Sequence, residues 1–155
     1  MKVPNGLTRA RDGLVYVSEI ITGIIHVFSQ NEDRLLEKVD EITVGLPVDN
    51  LSIDSEGNVW GAALPQVYTW FKSAKDPSII PPTTAIKISR KSDKGYGEFS
   101  RRNQNHYDGE YVVEKVLEDG SGALPGSTAV VHDPQTGRIY LSGLMSKVIA
   151  VCETR

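Results

Sequence analysis

The chain has 155 residues, of which 39% are hydrophobic and 24% are charged, and its formal net charge at pH 7 is −3. This length and balance predict one globular domain with its own hydrophobic core, since domains usually contain about 100–200 residues. The negative charge argues against a nucleic-acid partner, and the apolar runs are far shorter than the roughly 18 residues of a membrane span, so no transmembrane segment is predicted.

Short apolar runs rich in Val, Ile and Tyr recur along the chain, separated by Gly, Asp and Asn. Such runs predict β-strands, and no stretch keeps the 3.6-residue period of an amphipathic helix over three turns. The fold class is therefore predicted as all-β. In chain order, the predicted strands are Leu14–Ser18, Ile24–Phe28, Leu35–Val39, Leu51–Asp54, Val59–Ala62, Val67–Phe71, Ala85–Ile88, Tyr111–Leu117, Thr128–His132, Ile139–Ser142 and Val148–Cys152.

A local pattern recurs three times: a glycine, one further residue, an aliphatic residue and an aromatic residue. It begins at Gly13, Gly57 and Gly137. Each glycine suits a hairpin turn with positive φ, and the aliphatic-aromatic pair suits packing between stacked sheets. The first two glycines lie 44 residues apart, close to the roughly 40–50 residues of a four-stranded propeller blade. The repeat predicts a β-propeller.

The strand count divides the chain into about three four-stranded blades. The first spans about residues 1–44, the second about 45–118 and the third about 119–155, which lacks one strand. The second blade carries a polar insertion over residues 89–109, which we expect to be an exposed loop. Because three blades cannot close a ring, we expect a partial domain that another segment or chain completes.

Polar side chains precede two of the innermost predicted strands at corresponding positions. Asn5 lies 45 residues before Asn50, and Asp49 is adjacent. In a propeller such positions approach the central axis, and clustered carboxylate and amide oxygens suit Ca²⁺. The same residue pairs are also common in turns, which is the alternative interpretation. Asn50-Leu51-Ser52 is a glycosylation sequon, but its closeness to a core strand predicts a buried, unmodified Asn50.

Longer strings resemble the serum paraoxonase/arylesterase family. Val-Asp-Asn-Leu-Ser-Ile-Asp (48–54), followed by Gly-Asn-Val-Trp (57–60), is similar to a signature of that family. Nearly the whole chain takes part in the resemblance, but it corresponds only to the C-terminal part of a family member. Gly-x-Val-Trp alone is weak, since gluconolactonases and strictosidine synthases share it. Shorter similar strings follow in the family's order at residues 4–7, 16–20, 25–28, 76–77, 81–82, 124–127 and 151–153.

The resemblance implies a six-bladed propeller and a catalytic Ca²⁺ held by side chains that include those matching Asn5, Asp49 and Asn50. It also implies that a glutamate ligand, another asparagine ligand and the proton-transferring histidines belong to an N-terminal half without a counterpart here. Leu64 stands where the family often has a histidine. Cys152, the single cysteine, matches one that the family bonds to a cysteine near the N-terminus, so its partner is missing.

The function implied by the resemblance is calcium-dependent hydrolysis of a small ester or lactone, with this chain inactive alone. Its expected partners are the substrate and the missing N-terminal propeller half or another chain. Two alternatives stay open: a non-catalytic propeller fragment or interaction module, and a gluconolactonase-like or strictosidine-synthase-like enzyme. The chain starts without a signal-peptide pattern, and a secreted or endomembrane location is left open for a longer product.

The sequence offers no convincing general base or serine nucleophile. His26 and His132 lie in predicted strands, where packing or hydrogen bonding is the expected role, and His106 lies in the insertion. Ser127 lacks the Gly-x-Ser-x-Gly elbow of serine hydrolases. The catalytic residues therefore stay unassigned.

Overall fold

The computed structural model describes residues 1–91, 106–108, 110–120, 124, 126–144 and 146–154. Within these residues the chain forms twelve strands and one short helix. The strands form three antiparallel sheets that follow one another along the chain. The predicted all-β class is confirmed.

The first sheet contains β1 (Pro4–Arg9), β2 (Val15–Glu19), β3 (Ile24–Gln30) and β4 (Leu36–Thr43), in that order. The second contains β5 (Val48–Ile53), β6 (Val59–Ala63), β7 (Thr83–Arg90), β8 (His106–Asp108) and β9 (Tyr111–Asp119), in the order β5-β6-β7-β9-β8. The third contains β10 (Ala129–Asp133), β11 (Arg138–Ser142) and β12 (Ala150–Glu153). Helix α1 (Val67–Ser73) connects β6 to β7.

The three repeated turns have the geometry that the sequence predicts. Gly13, Gly57 and Gly137 have φ values of 95°, 90° and 64°, in the left-handed region that only glycine adopts at little cost. The aromatic residues that follow the first two glycines, Tyr16 and Trp60, are 4% and 1% exposed.

Two apolar clusters hold the sheets together. One joins the first and second sheets and includes Tyr16, whose ring meets that of Tyr111 edge to face at 6.4 Å. The other joins the second and third sheets and includes Trp60, whose ring stacks on that of His132 at 4.3 Å. Each aromatic residue is thus covered by the next sheet along the chain. Burial of these apolar faces, at about 25 cal/mol per Å², is the main force that holds the sheets together.

Strands β1, β5 and β10 begin their sheets and lie beside one another, β5 between the other two. Three polar links join β5 to β10 at every second residue, each across 78 positions of sequence. Asn50 Nδ2 donates to Thr128 O (2.8 Å), Ser52 Oγ donates to Val130 O (2.6 Å), and His132 Nδ1 contacts Asp54 Oδ2 (2.9 Å). These links fix the second and third sheets in one register.

The strand predicted over Val67–Phe71 is wrong, because these residues form α1. β-Branched and aromatic residues favour a strand locally, but the position beside β6 is already taken by β7. The less exposed residues of this segment are Val67, Thr69, Trp70 and Ser73. The three-residue spacing of Val67, Trp70 and Ser73 is helical.

The predicted insertion over 89–109 lies mostly outside the described residues. Its ends differ from the prediction, because Ser89 and Arg90 belong to β7 and residues 106–108 form β8. Within the described residues, no helix is long and apolar enough to cross a membrane.

Candidate functional site

The candidate site lies where β1 passes closest to β5. Gly6 permits this approach, since a Cβ there would lie 2.5 Å from Asp49 O and 2.6 Å from Asn50 Cα. Ser18 Oγ, fully buried on β2, accepts a hydrogen bond from Gly6 N (2.8 Å) and donates to Asp49 O (2.7 Å). One hydroxyl therefore ties two strands of the first sheet to the innermost strand of the second.

This junction places the side chains of Asn5 and Asp49 together. Asp49 is 7% exposed. Burial raises the pKa of the Asp49 carboxyl, and a hydrogen bond from the Asn5 side chain partly offsets that rise. No cationic side chain of the described residues forms an ion pair with Asp49. A bound cation would relieve the cost of ionising this carboxyl.

Asn50 lies next in β5 but has other partners. Its backbone N–H donates to Thr128 O at 3.1 Å, and its side-chain Nδ2 donates to the same oxygen at 2.8 Å. The expectation that Asn50 is buried is wrong, because the residue is exposed. The bond from Nδ2 orients the amide and leaves Oδ1 available as an oxygen ligand.

The donor set is chemically suited to calcium, since it combines one carboxylate with amide oxygens. The structure brings Asn5 and Asp49 into contact and holds Asn50 at the adjacent position. The residues covered by the structure contain no group of three or more His, Cys, Asp or Glu side chains placed to hold a metal. With one carboxylate, the three predicted ligands are at most part of a calcium site.

A second carboxylate lies just beyond the other end of β5 and has a different environment. Asp54 Oδ2 accepts from Trp60 Nε1 (2.8 Å) and contacts His132 Nδ1 (2.9 Å), while Oδ1 accepts from the backbone N–H groups of Glu56 (3.0 Å) and Asn58 (2.9 Å). Burial alone would raise the pKa of Asp54, but hydrogen bonds from Trp60, His132 and Asn58 lower it below the usual range. This carboxylate is fully satisfied within the chain.

The two described histidine side chains hydrogen-bond to carboxylates, as expected from their strand positions. His26 Nε2 lies 2.8 Å from Glu19 Oε2, and both residues are buried. Hydrogen bonds from His26 and from Lys2 N lower the pKa of the Glu19 carboxyl. His132 pairs with Asp54 at the opposite end of β5 from Asp49, and the side chain of His106 lies outside the described residues.

A cavity of about 740 Å³ also lies at the Asp54 end of the sheets. Its lining includes Arg11, Asp12, Tyr16, Asp54 and Arg90. The cavity is therefore separate from the predicted metal ligands, none of which lines it. We place the candidate site at Asn5 and Asp49 because the geometry and the raised pKa of Asp49 coincide there.

Comparison with known proteins decides the family. A sequence model described as Arylesterase matches residues 1–99. This chain belongs to the arylesterase family. The match includes Asn5, Asp49 and Asn50, and it confirms the predicted relationship.

A curated relative of this arylesterase-family chain is serum paraoxonase/arylesterase 2 of Rattus norvegicus, which is 33% identical over 86 residues. The aligned part is 54% of this chain and 24% of the rat protein. The chain thus matches only about a quarter of that relative's length.

A solved structure supports the predicted fold. The crystal structure of a Bacteroides uniformis protein described as a 6-phosphogluconolactonase superposes with a TM-score of 0.55 at 15% identity, and the match covers 96% of this chain and 35% of that one. At this identity the likeness concerns the fold alone. It agrees with the predicted partial propeller, while the number of blades in a complete ring stays a prediction.

Sequence reasoning missed two features of the site's framework. Ser18 is a polar residue in a strand whose five residues are all buried, and such a residue needs hydrogen-bond partners. Its partners, Gly6 and Asp49, are distant in sequence. The Asp54–His132 pair likewise joins residues 78 positions apart, although both are polar residues at the ends of predicted strands.

Proposed function

We propose that this arylesterase-family chain forms part of a calcium-dependent carboxylic ester hydrolase acting on aryl esters or lactones. The observation that carries the proposal is the Asp49 carboxyl, which is buried, touches Asn5 and has a raised pKa without a cationic partner among the described residues. The family match includes all three proposed ligands. A complete enzyme would therefore build its metal site around the β1–β5 junction.

Each proposed ligand has a distinct part. Asp49 supplies the negative charge, and Ser18 holds the Asp49 backbone through its carbonyl oxygen. Asn5 favours the ionised form of that carboxyl and offers a neutral oxygen ligand. Asn50 is oriented by its bond to Thr128. When bound, calcium would polarise the substrate carbonyl as a Lewis acid and stabilise negative charge on its oxygen.

The isolated chain should bind calcium weakly and hydrolyse these substrates negligibly. Asn5, Asp49 and Asn50 supply one formal negative charge, and calcium affinity rises with the number of charged ligands and the rigidity of the site. We propose that the missing ligands come from the N-terminal half of a longer family product, or from another chain.

The test measures hydrolysis of an aryl ester and a lactone, with and without a calcium chelator. Residues 1–155 are assayed alone and after coexpression with the N-terminal half of a family member. Chelator-sensitive turnover is expected only in the combined product, and Asp49→Asn should abolish it because the substitution keeps shape but removes charge. Asp33→Ala, an exposed carboxylate in a turn, is the matched control and should retain activity.

The outcomes separate the candidate functions. Full turnover in the combined Asp49→Asn product would refute the metal assignment. A folded combined product without activity on either substrate would favour the interaction module or a related propeller enzyme. Calcium titration by calorimetry gives a readout independent of turnover, since Asp49→Asn should remove calcium binding and Asp33→Ala should not.

A further inference from the structure

The sequence contains one Asn-Gly dipeptide, Asn5-Gly6, and it lies inside the candidate site. In such a pair the backbone nitrogen of the glycine can attack the asparagine side chain, because a glycine has no Cβ to restrict the backbone or block the approach. The bond from Gly6 N to Asn5 Cγ forms, the bond from Cγ to Nδ2 breaks, and the nitrogen leaves as ammonia with the proton of Gly6 N–H. Water then opens the resulting ring and leaves aspartate or isoaspartate at position 5.

The strand is irregular where this dipeptide lies. The register of β1 against β2 shifts between Pro4 and Leu7, so that Asn5 and Gly6 together oppose one residue of β2, Ser18. Two residues facing one define a β-bulge. Gly6 N–H donates a buried hydrogen bond of 2.8 Å to Ser18 Oγ. The Ser18 hydroxyl therefore holds the nitrogen that would attack.

The contact with β5 also opposes the reaction. For the attack, the Gly6 peptide group must rotate until its nitrogen faces Asn5 Cγ, and this rotation breaks the hydrogen bond to Ser18 Oγ. Gly6 has no room to rotate, since a Cβ on it would already lie 2.5 Å from Asp49 O. The departing amide of Asn5 is held as well, because the Asn5 side chain donates a hydrogen bond to the Asp49 carboxyl.

We propose that Asn5 is a site of spontaneous deamidation, and that the Ser18 hydroxyl suppresses the reaction for as long as β1 stays against β5. Local openings of a native protein expose protected backbone groups without global unfolding. The rate of conversion of Asn5 is then set by the fraction of time for which this junction is open. Water is the only co-reactant that the step needs.

Deamidation changes the charge of the candidate site. The product at position 5 is a carboxylate that no longer donates a hydrogen bond to Asp49. Two adjacent carboxylates repel each other in the absence of a cation, whereas a second charged ligand strengthens a calcium site. The isoaspartate form also lengthens the backbone by one carbon, for which the close contact of Gly6 with β5 leaves no space. The calcium part of this consequence rests on the proposed function, and the deamidation itself does not.

The experiment follows the amide of Asn5 in the full chain, incubated in mildly alkaline buffer without calcium. Tryptic cleavage after Lys2 and Arg9 releases residues 3–9, in which Asn5 is the single asparagine. Mass spectrometry of this peptide measures the conversion of amide to acid, and chromatography separates aspartate from isoaspartate. The same chain in urea above its unfolding midpoint gives the unprotected rate. The folded chain should convert more slowly than the unfolded chain.

Two variants separate the local bond from general stability. Ser18→Ala should convert about three- to tenfold faster than the folded parent, because it removes one buried hydrogen bond from the junction. Ile139→Val is the control, since Ile139 is 2% exposed in the third sheet and its truncation costs comparable stability far from β1. It should convert at the parent's rate. Circular dichroism checks that both variants are folded.

A third measurement needs no variant and decides the question even where Ser18→Ala does not fold. In urea below the unfolding midpoint, the parent's conversion rate should rise before the circular dichroism signal falls, because the junction opens locally. A rate that follows only the globally unfolded fraction would overturn the proposal. So would a folded Ser18→Ala chain as slow as the parent, or an Ile139→Val chain as fast as Ser18→Ala. None of these readouts uses calcium or turnover, so their failure leaves the proposed function untouched.

Discussion

Two aspartates on one strand region should respond in opposite ways to the same substitution. Asp49 opens the candidate site near the start of β5, and Asp54 follows the last residue of that strand. Burial raises the pKa of Asp49, whereas hydrogen bonds lower the pKa of Asp54 despite its burial. We expect Asp54→Asn to destabilise the chain strongly and Asp49→Asn to leave its stability unchanged or to increase it.

The magnitude for Asp54 follows from its hydrogen bonds. Oδ2 faces Trp60 Nε1 and His132 Nδ1, and Oδ1 faces two backbone N–H groups. An asparagine at position 54 would have to point its NH₂ group either at Trp60 Nε1 and His132 Nδ1 or at the two backbone N–H groups. In both cases a donor would face donors. A stranded buried donor costs about 1–3 kcal/mol, and bonds to a charged acceptor contribute about 1.5–3 kcal/mol each without being additive. We therefore expect a loss of about 2–4 kcal/mol in the free energy of unfolding.

The assay is urea unfolding at pH 7, comparing midpoints and slopes for both variants and the parent chain. An unchanged slope shows that a shift in midpoint reports stability. A loss below about 1 kcal/mol for Asp54→Asn, on the scale of an ordinary surface change, would refute the hydrogen-bond argument. A loss for Asp49→Asn as large as that for Asp54→Asn would refute the claim that the ionised Asp49 is a burden on the free chain.

Three further outcomes follow from the same contacts. The pKa of Asp54 is lowered on folding, so the stability that this carboxylate contributes is complete above the ordinary aspartate pKa of 3.8 and is lost as pH falls through the folded value. Acid titration followed by fluorescence should therefore show the difference in stability between the parent chain and Asp54→Asn closing below about pH 4. By urea unfolding, His132→Phe should lose about 1–2 kcal/mol in the free energy of unfolding. His132→Ala should lose more, because a phenyl ring keeps the stacking contact with Trp60 and a methyl group does not. Equal losses for the two variants would argue against a stabilising stack. Gly6→Ala should lose about 2–4 kcal/mol in the free energy of unfolding, because its Cβ would meet backbone atoms of β5. Gly120→Ala is the control and should be near neutral, because a Cβ at position 120 has open space around it. A Gly6→Ala chain as stable as this control would contradict the close approach of β1 to β5.

The fold was predictable where local chemistry and long-range packing agree. The turn glycines needed positive φ, and the aromatic residues after the first two of them, Tyr16 and Trp60, pack between sheets. The segment Val67–Phe71 shows the limit of that agreement. Its residue types favour a strand, yet β7 already pairs with β6 there, and tertiary context decides the outcome.

The site was predictable only in part, for a geometric reason. The matching spacing of Asn5 and Asp49 relative to their strands was visible in the sequence, and the structure brings these side chains together. The contact of Ser18 with Asp49 and the contact of Asp54 with His132 were not visible, because each joins residues of neighbouring sheets that are distant in sequence. A polar residue in a predicted core strand signals that a partner is needed but does not identify it.

The contrast between the two ends of β5 also bears on where function resides. Asp54 has five donors and a depressed pKa, so its charge is already stabilised by the fold and has no need of a ligand. Asp49 is similarly buried, yet within the described residues its side-chain donor is Asn5 alone, and burial raises its pKa. The Asp49 carboxyl lies beside the close contact of β1 with β5, and its hydrogen bonds do not offset the cost of its burial. It therefore lowers the stability of the fold, and carboxyl groups with such shifted pKa values cluster at binding and catalytic sites. If Asp49→Asn stabilises the free chain and abolishes the calcium-dependent turnover of the combined product, the cost and the function are located in the same carboxyl group.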